Sequence, residues 1–157
     1  MTGKWTDMFE QQQPGRGAGR SVGGPPSPEP DESAELDVRA LDQADYKPWV
    51  LQRGRGRPTM LLHMRRFEPR SGMWQGWALS YPTLNAVEYV GPRMVALDFG
   101  TRHFVIEGDG LDDLVDRLQH GMVTVIQEYN ATTWPARPPG PVITAIRRIG
   151  GEPAAGR

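Results

Sequence analysis

The segment MVALDF-GT-RHFVIE, Met94 to Glu107, constrains the fold more than any other part of the chain. Two runs of alternating apolar residues flank Gly100-Thr101, and a glycine in the first central position of a two-residue loop suits a type II′ hairpin turn. That turn sets one register. Val95 faces Ile106, Leu97 faces Phe104 and Phe99 faces Arg102, which gathers five apolar side chains on one face. The opposite face pairs Met94 with Glu107, Ala96 with Val105 and Asp98 with His103. A slip of one residue would carry the apolar set into water, so pattern and turn specify the same hairpin.

A helix follows over about 110–120. Leu111, Leu114, Val115 and Leu118 form the i, i+3, i+4, i+7 stripe, with Asp112 and Asp113 at the positive end of the dipole. Asp109 is the expected N-cap, His120 occupies the last turn and Gly121 the C′ position. A helix this short is marginal alone, so its stripe should lie on a sheet.

Further strands are expected at Trp49–Gln52, Thr59–Phe67, Gly76–Tyr81, Asn85–Val90 and Met122–Tyr129, with Val142–Ile149 as a last one. Several antiparallel strands, one helix and one or two more strands read as α+β. The expected form is a bent antiparallel sheet or small open β-barrel with one packed helix.

Glycine and proline bound the domain. The chain has 19 Gly and 15 Pro in 157 residues, well above ordinary usage. The stretch PGRGAGRSVGGPPSPEP (14–30) contains little that it could bury against the cost of ordering its backbone. The glycines at 15, 17 and 19 have no strand before them and no helix after, so they do not make a phosphate-binding loop. Residues 1–45 are therefore expected to be a disordered acidic tail, with at most a frayed helix over 30–46. Residues 46–149 should form one globular domain and 150–157 a loose tail. Trp134, among prolines, reads as lying in flexible surroundings.

Charge is partitioned although the net value is −1. Residues 1–45 hold four basic side chains against nine acidic ones, and residues 46–80 hold seven basic ones against Glu68 alone. Arg53, Arg55, Arg57, Arg65, Arg66 and Arg70 are candidate nucleic-acid contacts, with Trp49, Trp74 and Trp77 as stacking surfaces. Within this run, Arg55-Gly56-Arg57-Pro58 is similar to the core of the AT-hook. That resemblance implies Arg-Gly-Arg lying in a narrow minor groove. The competing reading is a solvated loop with Pro58 at a strand entrance. Arginine in place of lysine also fits a GC-rich bacterial genome.

Catalytic chemistry finds little support in the sequence. Cysteine is absent, which removes disulfides, thiolate nucleophiles and thiolate metal sites. His63, His103 and His120 have no metal-ligand spacing, and Asp109, Asp112 and Asp113 lack that of a calcium loop. Asp98–His103 is the one acid–base pair the hairpin brings together, and no activated serine accompanies it. No cofactor, metal or membrane span is expected. Trp5, Met8 and Phe9 share one face of a helical turn and form a candidate partner-docking peptide. Tyr81-Pro82 and Val90-Gly91-Pro92 interrupt strands where a binding loop would sit. The expectation is a cytoplasmic, non-catalytic protein-interaction, adaptor or assembly module. Its partner is another protein or a second copy of itself through an exposed sheet edge; nucleic-acid binding is the alternative.

Overall fold

The computed structural model describes residues 38–54 and 57–150. Along the chain these form α1 (Val38–Gln43), β1 (Trp49–Leu51), β2 (Leu61–Glu68), β3 (Met73–Ser80), a 3-10 turn (Tyr81–Thr83), β4 (Ala86–Val90), β5 (Met94–Asp98), β6 (His103–Asp109), α2 (Asp112–Gln119), β7 (Val123–Gln127) and β8 (Val142–Ile149). The eight strands make two open four-stranded sheets, ordered β1-β7-β2-β3 and β4-β5-β6-β8. The expected α+β arrangement is present, divided between two sheets.

The β5–β6 hairpin has the register its turn dictates, with Val95 opposite Ile106, Leu97 opposite Phe104 and Asp98 opposite His103. Gly100 has φ 81°, the left-handed value the turn requires. The Asp98 carboxylate accepts the Gly100 N–H at 2.6 Å. The inward residues Val95, Leu97, Phe104 and Ile106 are buried.

They share one core with Leu62 and Met64 of β2, Ile143 and Ile146 of β8, and Leu114 and Leu118 of α2. The helix thus buries its stripe in the space the two sheets enclose. Its start differs from expectation. β6 runs on through Asp109, which pairs with Val142 of β8. Held extended in that ladder, Asp109 is unable to cap, and Leu111 takes the N-cap position without a side-chain cap. Asp109 instead accepts Arg137 and lies near Arg93. At the other end, Gly121 with φ 62° closes the helix as expected.

In the first sheet β7 lies between β1 and β2, antiparallel to β1 and parallel to β2. The parallel pair is the one departure from the antiparallel expectation. It arises because the chain completes β3 to β6 and α2 before β7 returns, a crossover of the kind parallel strands need.

Residues just before β1 belong to the fold. Tyr46 and Trp134 are buried with Val142, against Trp74 and Tyr129. The Tyr46 and Trp134 rings meet edge-on at 4.9 Å. The Tyr46 hydroxyl donates to the Gln127 carbonyl of β7 and accepts the Ile143 N–H of β8, joining the two sheets. The Trp134 indole N–H donates to the Ala44 carbonyl at 2.9 Å. The expectation of flexible surroundings for Trp134 is corrected, because three neighbouring rings and a backbone carbonyl hold it. The described residues ahead of Tyr46 include α1 (Val38–Gln43).

Candidate interaction surface

The Asp98–His103 pair braces the hairpin turn. Nδ1 of His103 stands 3.4 Å from Asp98 Oδ1, and both side chains are well exposed. The same Asp98 oxygen is engaged by Gly100 N–H. His120 Nδ1 lies 2.8 Å from the Asp116 carbonyl at the helix end. His63 is half-buried, and burial, with Arg65 nearby, pushes its pKa below the ordinary histidine value. Among the described residues no group of three or more His, Cys, Asp or Glu side chains is placed to hold a metal ion. No helix among them is long and apolar enough to cross a membrane.

The candidate arginines do not form one rim. Arg65 is buried, with 2% of its side chain exposed. Its Nε and Nη2 donate to Gln127 Oε1 at 2.9 and 2.6 Å, and Nη2 also donates to Asp42 Oδ1 at 2.7 Å. Arg65 is therefore removed from the set of surface contacts, because the Gln127 amide oxygen, the Asp42 carboxylate and the Trp74 face already engage it. Arg66 is half-buried, bonded to Gln75 and set over Trp77 at 5.5 Å. Arg53 and Arg57 are exposed before β2, whereas Arg70 is exposed in the turn after it. The eight residues of β2 hold these groups apart, a span of about 25 Å. Arg55 and Gly56, half of the AT-hook-like segment, lie outside the described residues. So do Trp5, Met8 and Phe9. The three expected stacking tryptophans are half-buried: Trp49 and Trp77 pack on the main core, and Trp74 on the Tyr46–Trp134 cluster.

The structure instead forms an open groove of about 490 Å³ where the start of β4 meets the C-terminal end of α2. Its apolar lining comes from Pro58, Tyr81, Leu84, Val87 and Leu118, and Asn85, Gln119 and His120 add polar walls. Local chemistry fixes each wall. Pro82 is the second residue of the 3-10 turn that presents Tyr81 and Leu84, and the Tyr81 hydroxyl donates to the Val123 carbonyl at 2.7 Å. Burial pushes that phenol up to about 12, so it stays a neutral donor. Pro58 sits against Gly121, where an added Cβ would come within 2.9 Å of it. The Tyr81-Pro82 interruption of the strand pattern was the sequence signal for this feature; Pro58 and Leu118 carried none.

Beside the groove runs β4, which has a single hydrogen-bonded neighbour, β5. Among the described residues its outer edge is unpaired, and its last three residues, Glu88, Tyr89 and Val90, are exposed. Tyr89 is 62% and Val90 64% exposed. An unpaired edge beside a side-chain pocket is the general arrangement for strand addition by an extended peptide.

No known protein-family model matches the chain, and no curated protein or solved structure matches it.

Proposed function

We propose that the protein is a non-catalytic interaction module that takes an extended segment of a partner protein as an added strand on β4. An apolar side chain of that segment enters the Tyr81–Leu84–Leu118 groove. The observation that carries this reading is the adjacency of a strand edge unpaired among the described residues and a groove of about 490 Å³ with mixed apolar and polar walls. Its volume suits one or two large side chains, and its walls come from a turn, a strand and a helix end that the core already holds rigid. The ladder would supply affinity and the groove selectivity for the anchor.

A library of displayed peptides selected on the full chain tests this. Selected peptides are expected to carry an aromatic or aliphatic anchor and to slow amide exchange in 86–90. Gln119→Trp, which fills the groove from an exposed wall, should weaken them at least tenfold without lowering thermal stability. Peptides that protect 53–70 instead, or retention on DNA that Arg53→Ala with Arg57→Ala abolishes at low salt, would replace this reading with nucleic-acid binding.

A further inference from the structure

The outer face of the second sheet is a separate surface. Strand registers set its residues in three rows running across β4, β5, β6 and β8. The first row is Ala86, Asp98, His103, Ile149; the second is Glu88, Ala96, Val105, Arg147; the third is Val90, Met94, Glu107, Ala145. The middle of the face is small and apolar, with Ala96, Val105 and Met94 half-exposed. At its corners Val90 and Ile149 are 64% and 53% exposed. Nothing among the described residues packs over it, because α2 and the first sheet lie against the other face, in the shared core.

The second row carries an acid at one end and a base at the other, and this arrangement is self-complementary. From it we infer that two copies of the chain pack this face on itself about a twofold axis parallel to the strands. That axis reverses each row. Glu88 then meets Arg147 of the partner copy, and Arg147 meets the partner's Glu88. Ala96 meets Val105, Asp98 meets His103, Ala86 meets Ile149, and Val90 meets Ala145. Only Met94 lacks a matched neighbour, facing Glu107, which keeps its own ion pair to Arg147 at 3.0 Å.

A twofold axis perpendicular to the strands would set Glu88 on Glu88 and Arg147 on Arg147, so charge selects the first orientation. Glu88 has no ion pair among the described residues, which leaves it free for this contact. Packed sheets lie about 10 Å apart and rotate by roughly 30°, a displacement that Glu and Arg side chains are long enough to span.

Four strands and three rows cover roughly 400 Å² on each copy by ordinary sheet spacings, below the area of a standard stable interface. The dimer is therefore weak and concentration-dependent. This inference goes beyond the peptide-binding reading and is tested separately from it, by the oligomeric state of the chain alone and not by peptide capture.

Sedimentation of the full chain over a wide concentration range tests the proposal. The native protein is expected to pass from monomer to dimer, and added salt should shift it toward monomer. Glu88→Arg and Arg147→Glu should each weaken the dimer by about tenfold or more, since each places two like-charge contacts in it. An equimolar mixture of the two single variants should recover association, because each mixed pair restores opposite charges at both contacts. Circular dichroism melting of each variant separates misfolding from lost association. The proposal is overturned if the native chain stays monomeric at millimolar concentration. A dimer indifferent to both substitutions, or a mixture no tighter than its components, overturns it equally.

Discussion

The Arg65 guanidinium carbon lies 4.1 Å from the centroid of the Trp74 ring, on neighbouring strands of one sheet. Arg65 has a glycine, Gly76, as its cross-strand partner, and the His63 ring occupies the space a Cβ there would take. The buried cation is satisfied by an amide oxygen, an aromatic face and one carboxylate, Asp42. That carboxylate belongs to α1, which has no buried residue. An ion pair thus ties the first helix to the domain, and the arginine making it is an internal group.

Loss of that group should be costly. Arg65→Ala leaves Gln127 Oε1 without its two donors and opens space beside Trp74. A loss of about 3 kcal/mol is expected from breaking a buried ionic network on one side. Arg65→Lys should recover little of it, because a single ammonium lacks the planar fork that reaches Gln127 and Asp42 together. Urea unfolding followed by tryptophan fluorescence gives both values; a loss below about 1 kcal/mol for Arg65→Ala would refute the internal role.

Glycines separate close contact from empty space. Gly108 sits at the bulge where β6 shifts register against β8. A Cβ there would run into the Val142 carbonyl oxygen, with the Ile143 Cα at 3.0 Å. Gly108→Ala should cost about 3 kcal/mol, or roughly 10 °C in Tm. Gly140 has no neighbour within 4 Å of an added Cβ, so Gly140→Ala should be neutral or stabilise by up to about 1 kcal/mol. Paired calorimetric scans check the contrast, and equal effects would contradict the packing.

Legibility in the sequence followed the range of the interactions. The hairpin around Gly100 and the stripe Leu111–Leu118 depend on neighbours within a few residues, so pattern alone places them. The parallel pairing of His63 with Val125 depends on strands far apart in the chain, and no local period encodes it. Arg65 stands among basic residues and reads as solvated. Alternation with buried Leu62 and Met64 puts it on the opposite face of β2, and nothing in the sequence signalled that this face would also be covered. Trp134 lies in a proline-rich stretch whose composition suggests looseness, yet the rings that hold it come from residues 46, 74 and 129. The groove fared likewise, since Pro58, Tyr81 and Leu118 meet only after both sheets form.

Two titratable groups shape the pH profile in opposite senses. Burial raises the pKa of Glu128 above its ordinary 4.5, although its carboxylate accepts the Ile146 N–H. The folded state therefore holds this proton more tightly than the unfolded chain. The associated stability is full below about pH 4.5 and is lost as pH rises through the folded pKa. Glu128→Gln keeps an acceptor for Ile146, so its advantage over the native protein should grow between pH 4 and 7. His63, with its pKa lowered from 6.5, acts the other way: its contribution is full above that value and lost as pH falls through the folded pKa. His63→Gln should flatten the acid limb just below pH 6.5. Denaturant midpoints across pH 4–8 test both; a Glu128→Gln difference that shrinks toward neutrality would reverse the first assignment.

Trp134 offers a way to loosen one end of the fold selectively. Its indole N–H reaches Ala44 and its ring packs edge-on against Tyr46 and Trp74. Trp134→Phe keeps most of the ring contact and removes the single bond to the segment before β1. A net hydrogen bond contributes about 1 kcal/mol, so global stability should fall by about that amount. The local effect should be larger, because α1 buries no side chain. Amide exchange in 38–46 is expected to quicken severalfold while exchange in β5 and β6 changes only with global stability. Uniform acceleration across all strands would mean instead that Trp134 supports the whole core and not this segment.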